Sequence, residues 1–123
     1  IPKLARVKTG FTRSRRHKTV MKAVRGHRGA RSTRFSTAKE SLIHSLAYAT
    51  AHRRLRKRDM RRLWITRINA AAHLHGLSYS KFIRGLKLAE VEVDRKVLAD
   101  LSVREPDAFA SLAETAQTAL AAA

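Results

Sequence analysis

From about Ser36 onward, apolar residues fall at the spacing of one helical face: Leu42, Ile43, Leu46 and Ala49, then Met60, Leu63, Trp64, Ile68, Ala71 and Leu74. Recurrence at three and four residues is the signature of an amphipathic helix. No proline or glycine interrupts Ser36–His75, and Gly76 stands where a left-handed C′ residue belongs. The pattern predicts a single helix of about 40 residues, roughly 60 Å long at 1.5 Å per residue. Ser36 and Thr37 are its candidate N-caps, and Glu40 is assigned to its first turn, where a carboxylate favours the helix dipole.

Three shorter amphipathic pieces follow. Ser78 or Ser80 caps one carrying Phe82, Ile83, Leu86 and Ala89. Asp94 caps another with Val97, Leu98 and Leu101. Pro106, suited to a first helical turn, opens a third with Phe109, Leu112, Ala113 and Ala116. With Met60–His75 they make a small four-helix unit over residues 59–117, and 118–123 are a frayed tail.

Upstream the pattern fails. Leu4, Val7, Phe11, Val20, Met21 and Val24 come singly or in pairs among basic residues. Thr12–Val24 is compatible with a helix capped by Thr12 or Ser14, and Gly26 and Gly29 stop or bend it. Residues 1–38 are expected to build no core and to be largely disordered in the free chain. The fold class is therefore all-α. An extended basic arm over residues 1–58 bends near Gly26–Gly29 and runs into the long helix, and the small globular domain follows.

Charge changes this picture most. The chain has 123 residues, with 27 Lys and Arg against nine acids. A net charge of +18 is far beyond the magnitude of about 2–8 usual for a small soluble domain. Residues 1–67 hold 21 cations and two acids, Glu40 and Asp59, whereas 68–123 hold six and seven. The excess therefore sits entirely in the arm and its helix, which points to a polyanionic partner. Nucleic acid and an acidic membrane are the two candidates, and the arm residues placed to contact such a partner are Lys3, Arg6, Lys8, Arg13, Arg15, Arg16, Lys18, Lys22, Arg25, Arg28, Arg31, Arg34 and Lys39. In the long helix Arg53, Arg54, Arg56, Lys57 and Arg58 point in every direction around the axis, at about 100° per residue. A solvated charged face does not describe them, because there is no single face.

On a helical wheel Met60, Leu63, Trp64, Ala71 and Leu74 form the expected core side, with Ile68 at its flank. Arg58, Arg62, Thr66, Asn69 and His73 form the opposite polar ridge, taken with Arg61 as RNA-facing. Arg67 falls on the apolar side, and either extends past the core edge or pairs with an acid between Glu90 and Asp94. Lys81, Arg84 and Lys87 repeat along one side of the next helix, where surface charge and RNA contact are alternative readings, and Lys81 and Arg84 join the candidates. Phe11 and Phe35 lack a core and suit base stacking or insertion. Trp64, Phe82 and Phe109 sit at core spacing.

Other chemistries find little support. Cysteine is absent, which removes disulfides, thiolate metal sites and a cysteine nucleophile. His73 and His75 are the one close histidine pair, and their spacing does not align them on a helix; no metal site or cofactor is expected. Arg25-Gly26-His27-Arg28-Gly29 lacks the spacing and ending of a phosphate-binding loop. An enzyme with a small-molecule substrate is not expected. No apolar run reaches the roughly 18 residues of a membrane span. An Arg-rich, acid-free start also suits a transit peptide, but the basic character continues to Arg67.

Ordered blocks then narrow the partner. Arg6-Val7-Lys8-Thr9-Gly10 and Arg13-Ser14-Arg15-Arg16-His17-Lys18 open the chain. Lys57-Arg58-Asp59-Met60-Arg61-Arg62-Leu63-Trp64-Ile65-Thr66-Arg67-Ile68-Asn69-Ala70 follows, then Gly76-Leu77-Ser78-Tyr79-Ser80-Lys81-Phe82-Ile83-Arg84-Gly85-Leu86 and Asp94-Arg95-Lys96-Val97-Leu98-Ala99-Asp100-Leu101. Together these resemble the family of bacterial-type large-subunit ribosomal protein twenty over nearly the whole chain. Met60 departs from the family's usual phenylalanine, and Thr50-Ala51-His52 replaces a tyrosine-arginine-aspartate-like stretch. The resemblance implies a structural protein of the large ribosomal subunit whose arm threads through ribosomal RNA and which acts early in assembly. It implies neighbouring ribosomal proteins as partners and, for some members, repression of their own message through its leader. It also implies a cytoplasmic ribosome, or an organellar one if the N-terminus is a processed form. A DNA-compacting protein and a membrane-active basic peptide are the rivals; the second predicts a segregated apolar face beside the cations.

Overall fold

A computed structural model describes residues 5–123; Lys3 and Leu4 lie outside them. Among the described residues all regular structure is helical: α1 (Gly10–Ala23), a 3₁₀ turn (Gly29–Ser32), α2 (Phe35–Leu74), α3 (Tyr79–Leu88), α4 (Arg95–Arg104) and α5 (Pro106–Ala122). The all-α class and the long helix are as expected, α2 running unbroken for 40 residues. Two compact units form, one ending at Arg53 and the other spanning Arg54–Ala123.

The first unit corrects the expectation that this segment builds no core. α1 starts at Gly10, so Thr12 and Ser14 lie inside it, and Thr9 flanks it without a side-chain cap. The chain then reverses through Gly26 and Gly29, both at positive φ (88° and 64°), the region where glycine carries no Cβ penalty. This brings α1 against the start of α2. Val24 and Ala38 are fully buried, the His17 ring stacks on Phe35 at 3.7 Å, and His27 Nδ1 meets Ser41 Oγ at 2.7 Å. The cluster is small, and two of its members are imidazoles, which a search for apolar periodicity passes over. Because α2 begins at Phe35, Ser36 and Thr37 fall within its first turn, and Glu40 lies beyond that turn.

In the second unit the chain ends each helix with a recognisable device. α2 closes in a Schellman motif: Gly76 N–H donates to His73 O and Leu77 N–H to Ala72 O, with Gly76 at φ 74°. Ser78 Oγ accepts from Lys81 N–H to start α3, and Asp94 Oδ1 accepts from Val97 N–H to start α4. Pro106 opens α5, where its missing N–H costs nothing. α3 ends in a second Schellman motif, Glu90 N–H to Lys87 O and Val91 N–H to Leu86 O. Here the left-handed residue is Glu90, at φ 56°.

These helices enclose one core of Ile68, Ala72, Leu77, Phe82, Leu86, Leu98, Ala99, Phe109, Ala113 and Ala116. Phe82 and Phe109 stack at 5.0 Å near its centre, and burial of each contributes about 1.5–3 kcal/mol. α3 and α5 approach so closely at Gly85 that an added Cβ would lie 2.5 Å from Ala116 O. The core side of α2 differs from the expected one. Ile68 and Ala72 are its fully buried residues, Trp64 and Ala71 pack beside them, and Met60, Leu63 and Leu74 are 37%, 41% and 86% exposed. The buried face is turned by about one residue, roughly 100° around the axis, from the one read off the wheel.

Candidate nucleic-acid interface

Electrostatics dominate what the surface offers. Every candidate cation from Arg6 to Lys39 is exposed, on the segment before α1, on α1, between α1 and α2 or at the start of α2. Among the described residues the one pairing of a lysine or arginine with a carboxylate is Arg104 with Asp100, while His44 Nε2 lies 3.9 Å from Glu40 Oε1. None of the arm's lysines or arginines among the described residues is therefore neutralised by a carboxylate. Their charge is available to an outside partner, and the Debye length of about 10 Å at 0.1 M salt lets neighbours act together.

The middle of α2 is the most distinctive surface. Every residue from Thr50 to Leu63 is exposed, including Leu55, Met60 and Leu63. Within that stretch lie Arg53, Arg54, Arg56, Lys57, Arg58, Arg61 and Arg62, with Asp59 as the one acid. The helix thus presents cations over about two-thirds of its circumference at roughly 100° per residue, with Leu55, Asp59 and Leu63 on the remaining side. A surface of this kind suits phosphates approaching from several sides, as they do where RNA helices converge. It does not suit a membrane plane, which meets one side of a helix only.

The expected polar ridge divides. Arg58, Arg62, Thr66 and His73 are exposed, and Thr66 Oγ1 donates to its own helix at Arg62 O. Asn69 is half-buried, and its Oδ1 accepts from Tyr79 N–H at 3.2 Å. It joins Ser78 in satisfying the first amides of α3, a use that follows from the turn of the buried face. The same turn settles Arg67, which is exposed and forms no ion pair with Glu90, Glu92 or Asp94. Lys81, Arg84 and Lys87 line the outer side of α3, opposite the buried Phe82, Gly85 and Leu86.

The aromatics divide in the same way. Phe35 is engaged with His17, whereas Phe11 is exposed with the Arg15 guanidinium 6.0 Å from its ring centre. A feature that sequence reasoning missed is a ladder on the first half of α2. His44, Tyr48 and His52 follow one another at four-residue spacing, with ring centroids 6.4 and 6.0 Å apart. The spacing itself was the available signal, hidden because the alanines and leucines around it read as core.

Among the described residues no three His, Asp or Glu side chains converge on a point that would hold a metal ion. His73 faces solvent, while the His75 ring tilts against Phe109 at 6.0 Å. Among the described residues no helix is long and apolar enough to cross a membrane.

Comparison with known proteins adds a second line of argument. The family model described as ribosomal protein L20 matches residues 6–112. The large ribosomal subunit protein bL20 of Chloroflexus aurantiacus is 55% identical over 119 residues, covering 97% of this chain and 100% of that protein. The bL20 of Halorhodospira halophila is 57% identical over 117 residues, 95% of this chain and 98% of its own. That of Rhodospirillum centenum is 56% identical over 119 residues, 97% and 100%.

Proposed function

The chain belongs to the ribosomal protein L20 family, and from that premise we propose that it binds large-subunit ribosomal RNA directly and stabilises its fold during early subunit assembly. Its role is structural, within the large subunit of the cytoplasmic ribosome and beside other ribosomal proteins. Its relatives are ribosomal proteins and not enzymes. One observation carries the RNA reading: the α2 stretch from Thr50 to Leu63 is exposed on all sides and carries seven cations with one acid.

The mechanism follows from polyelectrolyte physics. Each phosphate neutralised by an arginine or lysine releases condensed counterions, so log K falls with log salt by about 0.7–0.9 per contact. The arm's cations on α1 and the turn, with those of α2, act together as the sequence-independent part of the affinity. The Arg54–Ala123 unit, folded around its own core, supplies orientation through Arg58, Arg61, Arg62, Thr66 and His73, with Lys81 and Arg84 on α3. Recognition is mainly of RNA shape and backbone, because base edges in an A-form major groove are out of reach of side chains. A messenger leader that folds like the ribosomal site competes for the same surface, which is the physical route to self-repression.

Competition binding tests this reading. Purified large-subunit ribosomal RNA is expected to displace a duplex DNA of equal length at moderate salt. Replacement of Arg54, Arg56, Lys57 and Arg58 by glutamine is expected to lower RNA affinity and flatten its salt dependence. Equal affinity for both nucleic acids, or a variant with unchanged salt slope, defeats the proposal. Binding to liposomes in preference to RNA favours the membrane rival instead.

A further inference from the structure

The ladder of His44, Tyr48 and His52 is not explained by phosphate neutralisation. Three rings stand in a row on one side of α2, all exposed, with Tyr48 61% accessible. None of them belongs to the core. An exposed ring offers a π face, and bases of any identity stack on such faces. The separations of 6.4 and 6.0 Å are close to twice the base-stacking repeat of about 3.4 Å.

The ground beside the ladder is shaped. An open groove of about 450 Å³ lies between the 3₁₀ turn and α2, bordered by Arg31, Glu40, His44 and Tyr48. Its charges are placed unequally. Arg31 supplies a cation from the turn, whereas Glu40 brings a carboxylate to the wall, 3.9 Å from His44 Nε2. A phosphate at the Glu40 wall is repelled, so a backbone simply tracking the groove is disfavoured. A nucleotide fits in one sense only: phosphate toward Arg31, base against the rings. The geometry points to the ladder as a seat for an unpaired RNA base, stacked on Tyr48 with its phosphate held by Arg31.

This inference rests on the RNA-binding reading and deepens it. It assigns the first half of α2 a stacking contribution distinct from the charge of the second half. The two have different salt behaviour, because stacking releases no counterions.

The experiment uses the full chain and a purified bacterial large-subunit ribosomal RNA. Tyr48→Ala is expected to weaken binding roughly five- to a hundredfold, with the slope of log K against log salt unchanged. Tyr48→Phe is expected to bind like the parent, and Tyr48→Leu like the alanine variant. Tyr48 is exposed, so circular dichroism of the variants should match the parent. Ultraviolet cross-linking followed by mass spectrometry is expected to place a nucleotide adduct on the peptide containing Tyr48. Against a fully paired RNA duplex the parent and Tyr48→Ala should bind alike. Unchanged affinity of Tyr48→Ala for ribosomal RNA, or equal binding by the phenylalanine and leucine variants, overturns the seat and leaves the RNA reading intact. A parent chain that fails to prefer ribosomal RNA overturns the RNA reading itself.

Discussion

Gly85 is where α3 touches α5, and Gly85→Ala measures how much the second unit depends on that contact. A Cβ built at Gly85 lies 2.5 Å from Ala116 O, 2.7 Å from Ala116 Cβ and 2.8 Å from Ala116 Cα. Carbon atoms in good contact sit about 3.5–4.0 Å apart, so α3 and α5 must separate by roughly 1 Å. Two of the three obstructing atoms are backbone, and Ala116 is fully buried, so no side chain can swing aside. Overpacking of this kind costs about 1–3 kcal/mol and sometimes more, and the backbone obstacle puts Gly85 at the upper end. Alanine returns about 1 kcal/mol through its better helix propensity. The net expectation is a loss of about 2 kcal/mol. For a domain of this size that is a fall in Tm of about 8–16 °C. The probe is already in place: Trp64 is the chain's single tryptophan and packs against the same core, so its fluorescence reports this unit. In the Gly85→Ala background, Ala116→Gly should recover only part of the loss, since it removes Cβ and leaves the carbonyl and Cα where they are. An unchanged or higher Tm for Gly85→Ala would mean that propensity outweighs contact and that the close approach is not a feature of the folded protein.

Other consequences can be checked with the same purified chain. Glu90 holds the left-handed position ending α3 at φ 56°, so Glu90→Gly should stabilise the unit by up to about 1 kcal/mol in urea denaturation. Asn69→Ala should lower stability by about 1 kcal/mol through the lost cap on Tyr79, whereas Arg58→Ala with Arg62→Ala should leave the Trp64 melt alone and weaken ribosomal RNA binding. Val24 is fully buried at the C-cap of α1, so Val24→Asp should abolish hydrogen-exchange protection of the α1 amides. A chain of residues 59–117 alone, retaining all of the second unit's core residues, should melt cooperatively by calorimetry.

Much of the architecture was legible because its signals are local. Ser78, Asp94, Pro106 and Gly76 each mark a helix end by a chemistry confined to a few neighbouring residues, and all four act as expected. The buried face of α2 was less legible. A wheel ranks side chains by angle and apolar bulk, and Met60, Leu63 and Leu74 dominate such a ranking. Burial is decided by where α3, α4 and α5 cover the helix, and that cover centres on Ile68 and Ala72, one of them small. The capping role of Asn69 was hidden for the same reason, since an amide on a polar stripe looks solvent-facing until the partner amide of Tyr79 is known. The contact at Gly85 left no trace either, because a glycine inside a helical pattern reads as a local weakness until the opposite helix is in view. In the first unit the cluster joining α1 to α2 is made of one valine, one alanine, a phenylalanine and two imidazoles, too few apolar atoms to stand out against the surrounding charge.

The exposed middle of α2 connects the fold to its use through the sign of one interaction. Between Arg53 and Arg62 seven cation pairs stand three or four residues apart, and Asp59 offers favourable pairing only to Arg56 and Arg62. At a few tenths of a kcal/mol per pair, the free helix carries about 1–2.5 kcal/mol of net repulsion. No tertiary burial offsets it, since every residue there is exposed. The helix therefore draws its intrinsic stability from helix-forming arginines, lysine and leucine, with no help from packing. Phosphates reverse the sign of the charge interaction without requiring the helix to change shape. Added salt acts in opposite directions on the two states, relieving repulsion in the free chain and weakening the hold on RNA. A helix that needs no change of shape to meet phosphates displays its charges before the RNA is folded around it. Under the assembly role proposed above, the cation array is present first and the RNA compacts around it second.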